Sequence, residues 1–237
     1  MSTMSFSATA TEATEATEIV PVETEALALA SATPGGIQGE ISASDIRLPR
    51  VNLVQKMSET ASEFRPGDVI FEKIIKLGDV NKPVEFTVLR LKKQYQQDLP
   101  FGTEERPLVF DRADEVKAAG GSLIRGCDNY FSEIAHIQLA VAAPADLSED
   151  QLELFPYQFK GIDYALAVIT VGRSAYGTFA KPIITHGFNT LKAGLWKGKF
   201  ALHVDAKKSP KGAYFVPVPV FKARHDEETA AFFGGLL

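Results

Sequence analysis

Apolar and polar residues alternate in short runs over most of this chain, a spacing that predicts strands more than long helices. Pro49 biases its neighbour toward extended backbone, so residues 51–55 are expected to be a short strand rather than part of a helix. The turn Arg65-Pro66-Gly67-Asp68 leads to a first long strand over 69–75, and a loop rich in turn residues, 76–83, to a second over 84–93. In that second strand Val84, Phe86 and Val88 share one face, while Leu89 and Leu91 have the other parity. Such a slip calls for a β-bulge or for burial on both faces. Residues 165–171 are apolar on both parities, as in a strand covered on both sides.

A helix follows. Pro182 suits its first turn, Ile184, Phe188 and Leu191 recur at helical spacing beside Ile183, and Gly194 supplies the stop. Residues 199–205 then alternate as a strand, 207–212 form a basic turn, and 213–221 form a last strand. Pro217 and Pro219 place the later half of that strand on a sheet edge.

Two regions lack this regularity. Residues 1–44 carry a Thr-Glu-Ala run of period three, many small residues and no base, and are expected to be a disordered acidic leader. Residues 94–157 read as an insertion. Within it 111–119 form a short helix stopped by Gly120-Gly121, 134–141 a weakly alternating strand, and 144–154 a loop with a short acidic helix.

With the insertion set aside, the order is three strands, a helix and two strands. The expected fold is therefore mainly β (α+β), an OB-fold-like five-stranded Greek-key barrel over residues 45–225 with one helix between strands three and four. In that fold the second and third strands bind oligonucleotides together with two loops, here 76–83 and 206–212.

Charge sharpens this expectation. The chain has a formal net charge of −5, yet residues 160–224 hold eleven Lys or Arg against two acids, together with Trp196, Tyr164, Tyr176 and Tyr214. Positive charge interleaved with rings is the footprint of a surface that follows a phosphate backbone and stacks bases. A solvated basic face on an ordinary β domain has the same composition. The candidate nucleic-acid-binding residues are Lys76, Lys82, Arg90, Lys92, Arg173, Lys199, Lys207, Lys208 and Lys211, with Tyr176, Trp196 and Tyr214 as stacking rings. Trp196 follows the helix, so capping the core is its competing role.

The stretch from Leu48-Pro49-Arg50-Val51-Asn52-Leu53-Val54-Gln55 to Lys56-Met57-Ser58, followed by Pro66-Gly67-Asp68, resembles the opening of a group of bacteriophage single-stranded DNA-binding or replication-associated proteins. Lys197-Gly198-Lys199-Phe200-Ala201-Leu202 and Lys211-Gly212-Ala213-Tyr214-Phe215-Val216-Pro217 resemble its closing segment. The resemblance implies single-stranded DNA as the partner. Relatives with several cysteines in the middle region differ from this chain, which has only Cys127.

Catalytic patterns are not evident. The basic half offers only Asp163 and Asp205 as carboxylates, too few for a two-metal nuclease. Ser174 lacks the flanking glycine of a nucleophile elbow, and His136, His186, His203 and His225 lack metal-ligand spacing. No enzyme, metal or cofactor is expected. No apolar run approaches the roughly 20 residues that span a bilayer, and the absence of a base before Arg47 fits neither a secretory nor a transit peptide, so a cytoplasmic protein is expected.

Residues 226–237 join Asp226, Glu227 and Glu228 to Phe232, Phe233, Leu236 and Leu237. They admit two readings. One is an acidic tail with an apolar tip for replication or recombination proteins; the other is a helix packed on the domain or exchanged with a second copy in a homodimer. The alternative to DNA binding is a structural or protein-interaction β domain of a phage virion or its assembly, without catalysis.

Overall fold

The long strand β4 (Val84–Gln97) is the axis of the structure, a computed structural model that describes residues 47–100, 102–192, 194–210 and 212–237. The acidic leader expected over 1–44 lies outside the described residues, as does Lys211. Val84, Phe86 and Val88 alternate into the main core. Val88 then opposes Leu139 and Arg90 opposes Gln138, which leaves Leu89 as the extra residue of a bulge. Leu89 is only 4% exposed, because it turns into a second apolar cluster on the other face with Ala140 and Phe233. The parity slip in the sequence is thus both a bulge and two-sided burial. Past it the parity is reversed: Leu91 packs on the main core, and Arg90 faces solvent.

The strands are β1 (Val51–Leu53), β2 (Val69–Phe71), β3 (Ile75–Gly78), β4, β5 (Val109–Phe110), β6 (Phe131–Ala142), β7 (Tyr157–Phe159), β8 (Ile162–Gly172), β9 (Gly198–Ser209) and β10 (Gly212–Arg224). They form a mainly β molecule of two antiparallel sheets. One is β1-β2-β3; the other is seven-stranded in the order β10-β9-β4-β6-β8-β7, with β5 on β4. A five-stranded, partly open barrel was expected; the described residues form no closed barrel, and the larger sheet has seven strands. The seven-stranded sheet is open, ending at β10 and β7. The free edge of β10 is blocked rather than paired. Pro217 and Pro219 have no N–H to offer, the Gln55 side chain donates to the Phe215 carbonyl and accepts from its N–H at 2.9 Å each, and Thr178 Oγ1 donates to the Pro217 carbonyl at 3.0 Å.

The segment expected as an insertion supplies β6, which lies between β4 and β8 with both edges paired. Ala135, Ile137, Leu139 and Val141 of β6 and Ala165, Ala167, Ile169 and Val171 of β8 cover the core side. Over them runs a helical crossover, residues 173–191, in which α-helical turns alternate with the π-helical stretches Tyr176–Ala180 and Gly187–Leu191. It buries Tyr176, Phe179, Ile183 and Leu191, with Phe179 stacked on Phe86 at 5.7 Å. The crossover falls between the strands where one helix was expected, but it begins well before Pro182. Among the described residues no helix is long and apolar enough to cross a membrane.

Of the two readings of residues 226–237, the structure has the packed helix. Asp226 caps Glu227–Gly234, its Oδ1 accepting from the Thr229 N–H at 2.7 Å. Asp226 and Glu228 pair with Lys160 at 3.3 and 2.9 Å, so these acids hold the helix in place. Phe232 stacks on Phe159 at 4.4 Å, and Phe233 is 1% exposed under Tyr164 and His225. A Phe233→Ala substitution should therefore cost about 3–5 kcal/mol in urea denaturation, the range for large aromatic truncations in a core. Phe188→Ala, at a ring that is 78% exposed, should stay within about 0.5 kcal/mol of the parent.

Candidate nucleic-acid interface

The expected binding residues divide by whether the fold has already neutralised them. Lys76 Nζ bridges Asp68 at 2.9 Å and Asp79 at 2.8 Å. Asp68 is buried, so Lys76 is the counter-charge that makes that burial tolerable. The pairing raises the Lys76 pKa, and Lys76 with the N–H groups of Asn81 and Lys82 holds Asp79 down to about 2. Lys92 pairs with Asp111 at 3.0 Å, Lys199 with Glu85 at 2.6 Å, and Arg173 with Asp98. By contrast Lys82, Arg90, Lys207 and Lys208 have no ion pair among the described residues.

Three of those four share one end of the molecule. Pairing of β4 with β9 stops at Val84 opposite Leu202, and from there β9 continues to Ser209 paired with β10 alone. The result is a two-stranded ribbon roughly 20 Å long, given about 3.3 Å per residue. Lys207 and Lys208 stand near its tip, and Tyr214, half-buried, is directly opposite Lys207 on the same side. Lys82 lies just before Val84, at the ribbon's base.

The other two expected rings are engaged in packing. Tyr176 is buried beneath the ammonium groups of Lys93 and Lys181, 5.7 and 5.6 Å from its ring centre, and burial raises its pKa. Trp196 packs into the second apolar cluster, and its neighbours are shaped around it. Gly194, at φ 150°, would bring a Cβ to 2.5 Å from the indole, and Gly234 one to 3.1 Å from its Nε1. The structure gives Trp196 the capping position.

Reversed parity after the Leu89 bulge puts Arg90 and Lys92 on the outer face of the sheet, where cross-strand register builds a polar row. Lys92 opposes His136, and His136 opposes Thr170, whose Oγ1 lies 3.0 Å from His136 Nδ1. Arg50 joins them through the bridge of its backbone to Val168. Burial first, then the charges of Lys92 and Arg50, lower the His136 pKa. Sequence reasoning did not single out Arg50 or His136. The available signal was the polar parity His136, Gln138 in an otherwise apolar run, but its meaning depends on which strands flank β6.

Among the described residues, no three His, Cys, Asp or Glu side chains gather as a metal site requires. No protein-family model, no curated protein and no solved structure matches this chain.

The histidines predict a pH dependence. His225, which shares a 2.8 Å hydrogen bond with the buried Thr87 hydroxyl, also has a lowered pKa, through burial and then Lys199, partly offset by Asp226. A histidine held below its unfolded value of about 6.5 is neutral in the fold, so its stabilisation is complete above that pH and is lost as pH falls through it. Thermal melts should show a lower Tm at pH 5.5 than at pH 7.5. The drop should shrink in a His136→Gln, His225→Gln variant, while the low carboxylates Asp79 and Asp226 act only at more acid pH.

Proposed function

We propose that this protein binds single-stranded DNA without reading its sequence, in the setting of phage replication or recombination that the sequence resemblance implies. One observation carries the reading. Of the expected binding residues that have no ion pair among the described residues, three, Lys82, Lys207 and Lys208, gather on and below the two-stranded ribbon, with Tyr214 opposite Lys207. Lysines already held by carboxylates have little to gain from a phosphate, whereas unpaired ones release counterions when they meet it. A half-open tyrosine beside them offers a face on which any base can stack. An oligonucleotide-binding barrel meets its ligand with a sheet face and two loops. In this reading the β3–β4 turn and the β9–β10 hairpin take those loop roles on an open sheet, and Arg90 with Arg50 adds a second basic patch on its outer face.

A second reading, an interaction or assembly domain without catalysis, is favoured by the exposure of Phe188 beside Leu91, Ile184 and Leu195 in one apolar hollow. Anisotropy of a fluorescein-labelled oligo(dT) separates the two. On the DNA reading affinity falls steeply with salt, and a Lys82→Glu, Lys207→Glu, Lys208→Glu variant flattens the log–log salt slope by about 2, at about 0.7 per phosphate contact on single strands. A Lys117→Glu control, exposed on the helix Ala113–Ala118, keeps the parent slope. No response of the parent to oligo(dT) leaves the interaction-domain reading standing.

A further inference from the structure

Where the C-terminal helix lies on the outer face of the sheet, it leaves a half-open cavity of about 220 Å³. The half-buried Phe159 gives it an aromatic wall, the buried Phe233 belongs to its lining, and Lys199 and Glu85 stand at it as a 2.6 Å ion pair. Tyr164, whose hydroxyl has no hydrogen-bond partner among the described residues, belongs to the same lining. Thr87 and His225 line it too, but they satisfy each other.

Size and chemistry together restrict what fits. The volume is below the roughly 300–1,000 Å³ of sites for drug-sized ligands, which favours one ring system over a whole nucleotide. The Phe159 wall suits a flat ring. An ammonium beside a carboxylate offers one donor and one acceptor, and the hydroxyl offers either, which matches the mixed donor–acceptor edge of a nucleobase. Lys199 and Glu85 are both partly exposed, so exchanging their mutual contact for a base edge costs little. Lys199 also shares β9 and its side-chain parity with Lys207, eight residues on, a separation on the order of 26 Å that a short oligonucleotide can span.

We propose that this cavity takes one nucleobase of the bound strand, turned out of its stack and held between the Phe159 wall and the Lys199–Glu85–Tyr164 edge. The inference rests on the nucleic-acid reading above and names the part of the ligand that this second site recognises. Because every base presents donors and acceptors, the site adds affinity without demanding a sequence.

The test uses the full chain and two probes, deoxythymidine and oligo(dT). Deoxythymidine, which has no phosphate, should shift the backbone amide signals of Thr87, Tyr164 and Phe233 saturably and leave those of Lys207 and Lys208 in place. Ala142→Phe fills the cavity from the sheet without touching a charge. It should abolish those shifts and weaken oligo(dT) binding on the order of tenfold, as loss of one stacked base does, with the salt slope unchanged. Tyr164→Phe, which keeps the packing, should weaken the deoxythymidine response several-fold. Absence of deoxythymidine shifts at the cavity, or an Ala142→Phe protein that folds and binds oligo(dT) as tightly as the parent, overturns the proposal. A parent that responds to deoxythymidine but ignores oligo(dT) overturns the strand reading itself and leaves a nucleoside site.

Discussion

The extra residue in β4 sets which chemistry faces which way. Side chains alternate with a period of two, so one inserted residue exchanges the faces of everything that follows. Without the Leu89 bulge, Arg90 and Lys92 would continue the parity of Phe86 and Val88 into the main core, where unpaired charges are costly. With it, Leu91 takes the core position and the two bases face outward. Leu89 itself is not wasted: its burial under the C-terminal helix contributes roughly 1.5–3 kcal/mol and offsets the interrupted ladder. That helix in turn closes one side of the Lys199 cavity. The basic outer row follows from this register shift, beside a second core built on the bulged residue itself.

Charge pairing supplies the second constraint. A basic sequence is not yet a basic surface, because the fold places an acid beside many of its cations. Lys76 compensates a buried aspartate, Lys160 fixes the C-terminal helix, and Lys199 meets Glu85. The charges left over are fewer than the sequence suggests. The ribbon carries two of them, Lys207 and Lys208, beyond the point where β4 stops pairing with β9.

Those two constraints explain how much was legible in advance. Local signals carried well: the parity slip at Leu89, the proline-marked edge of β10 and the helical crossover before β9 each rest on a few adjacent residues, whereas the strand around Ile169 is buried on one face only. Long-range facts did not carry. β6 reads as weak alternation because Ala135 and Ala140 are small and His136 and Gln138 polar, and nothing local reveals that β4 and β8 flank it. An open sheet and a partly open barrel share the same strand patterns. Likewise Lys199 and Arg173 looked available because their acids, Glu85 and Asp98, are remote in sequence, and Tyr176 looked like a stacking ring until the crossover folded it beneath two lysines.

The central claim is a location: nucleic acid meets the charges the fold has left unpaired. Amide chemical-shift mapping of the full chain during titration with oligo(dT) tests it most directly. The account predicts that the largest perturbations fall on Lys82, Lys207, Lys208 and Tyr214, with little change at Lys76, Arg173 and Tyr176. Perturbations centred on the helical crossover around Phe188, or none at saturating oligonucleotide, would contradict it.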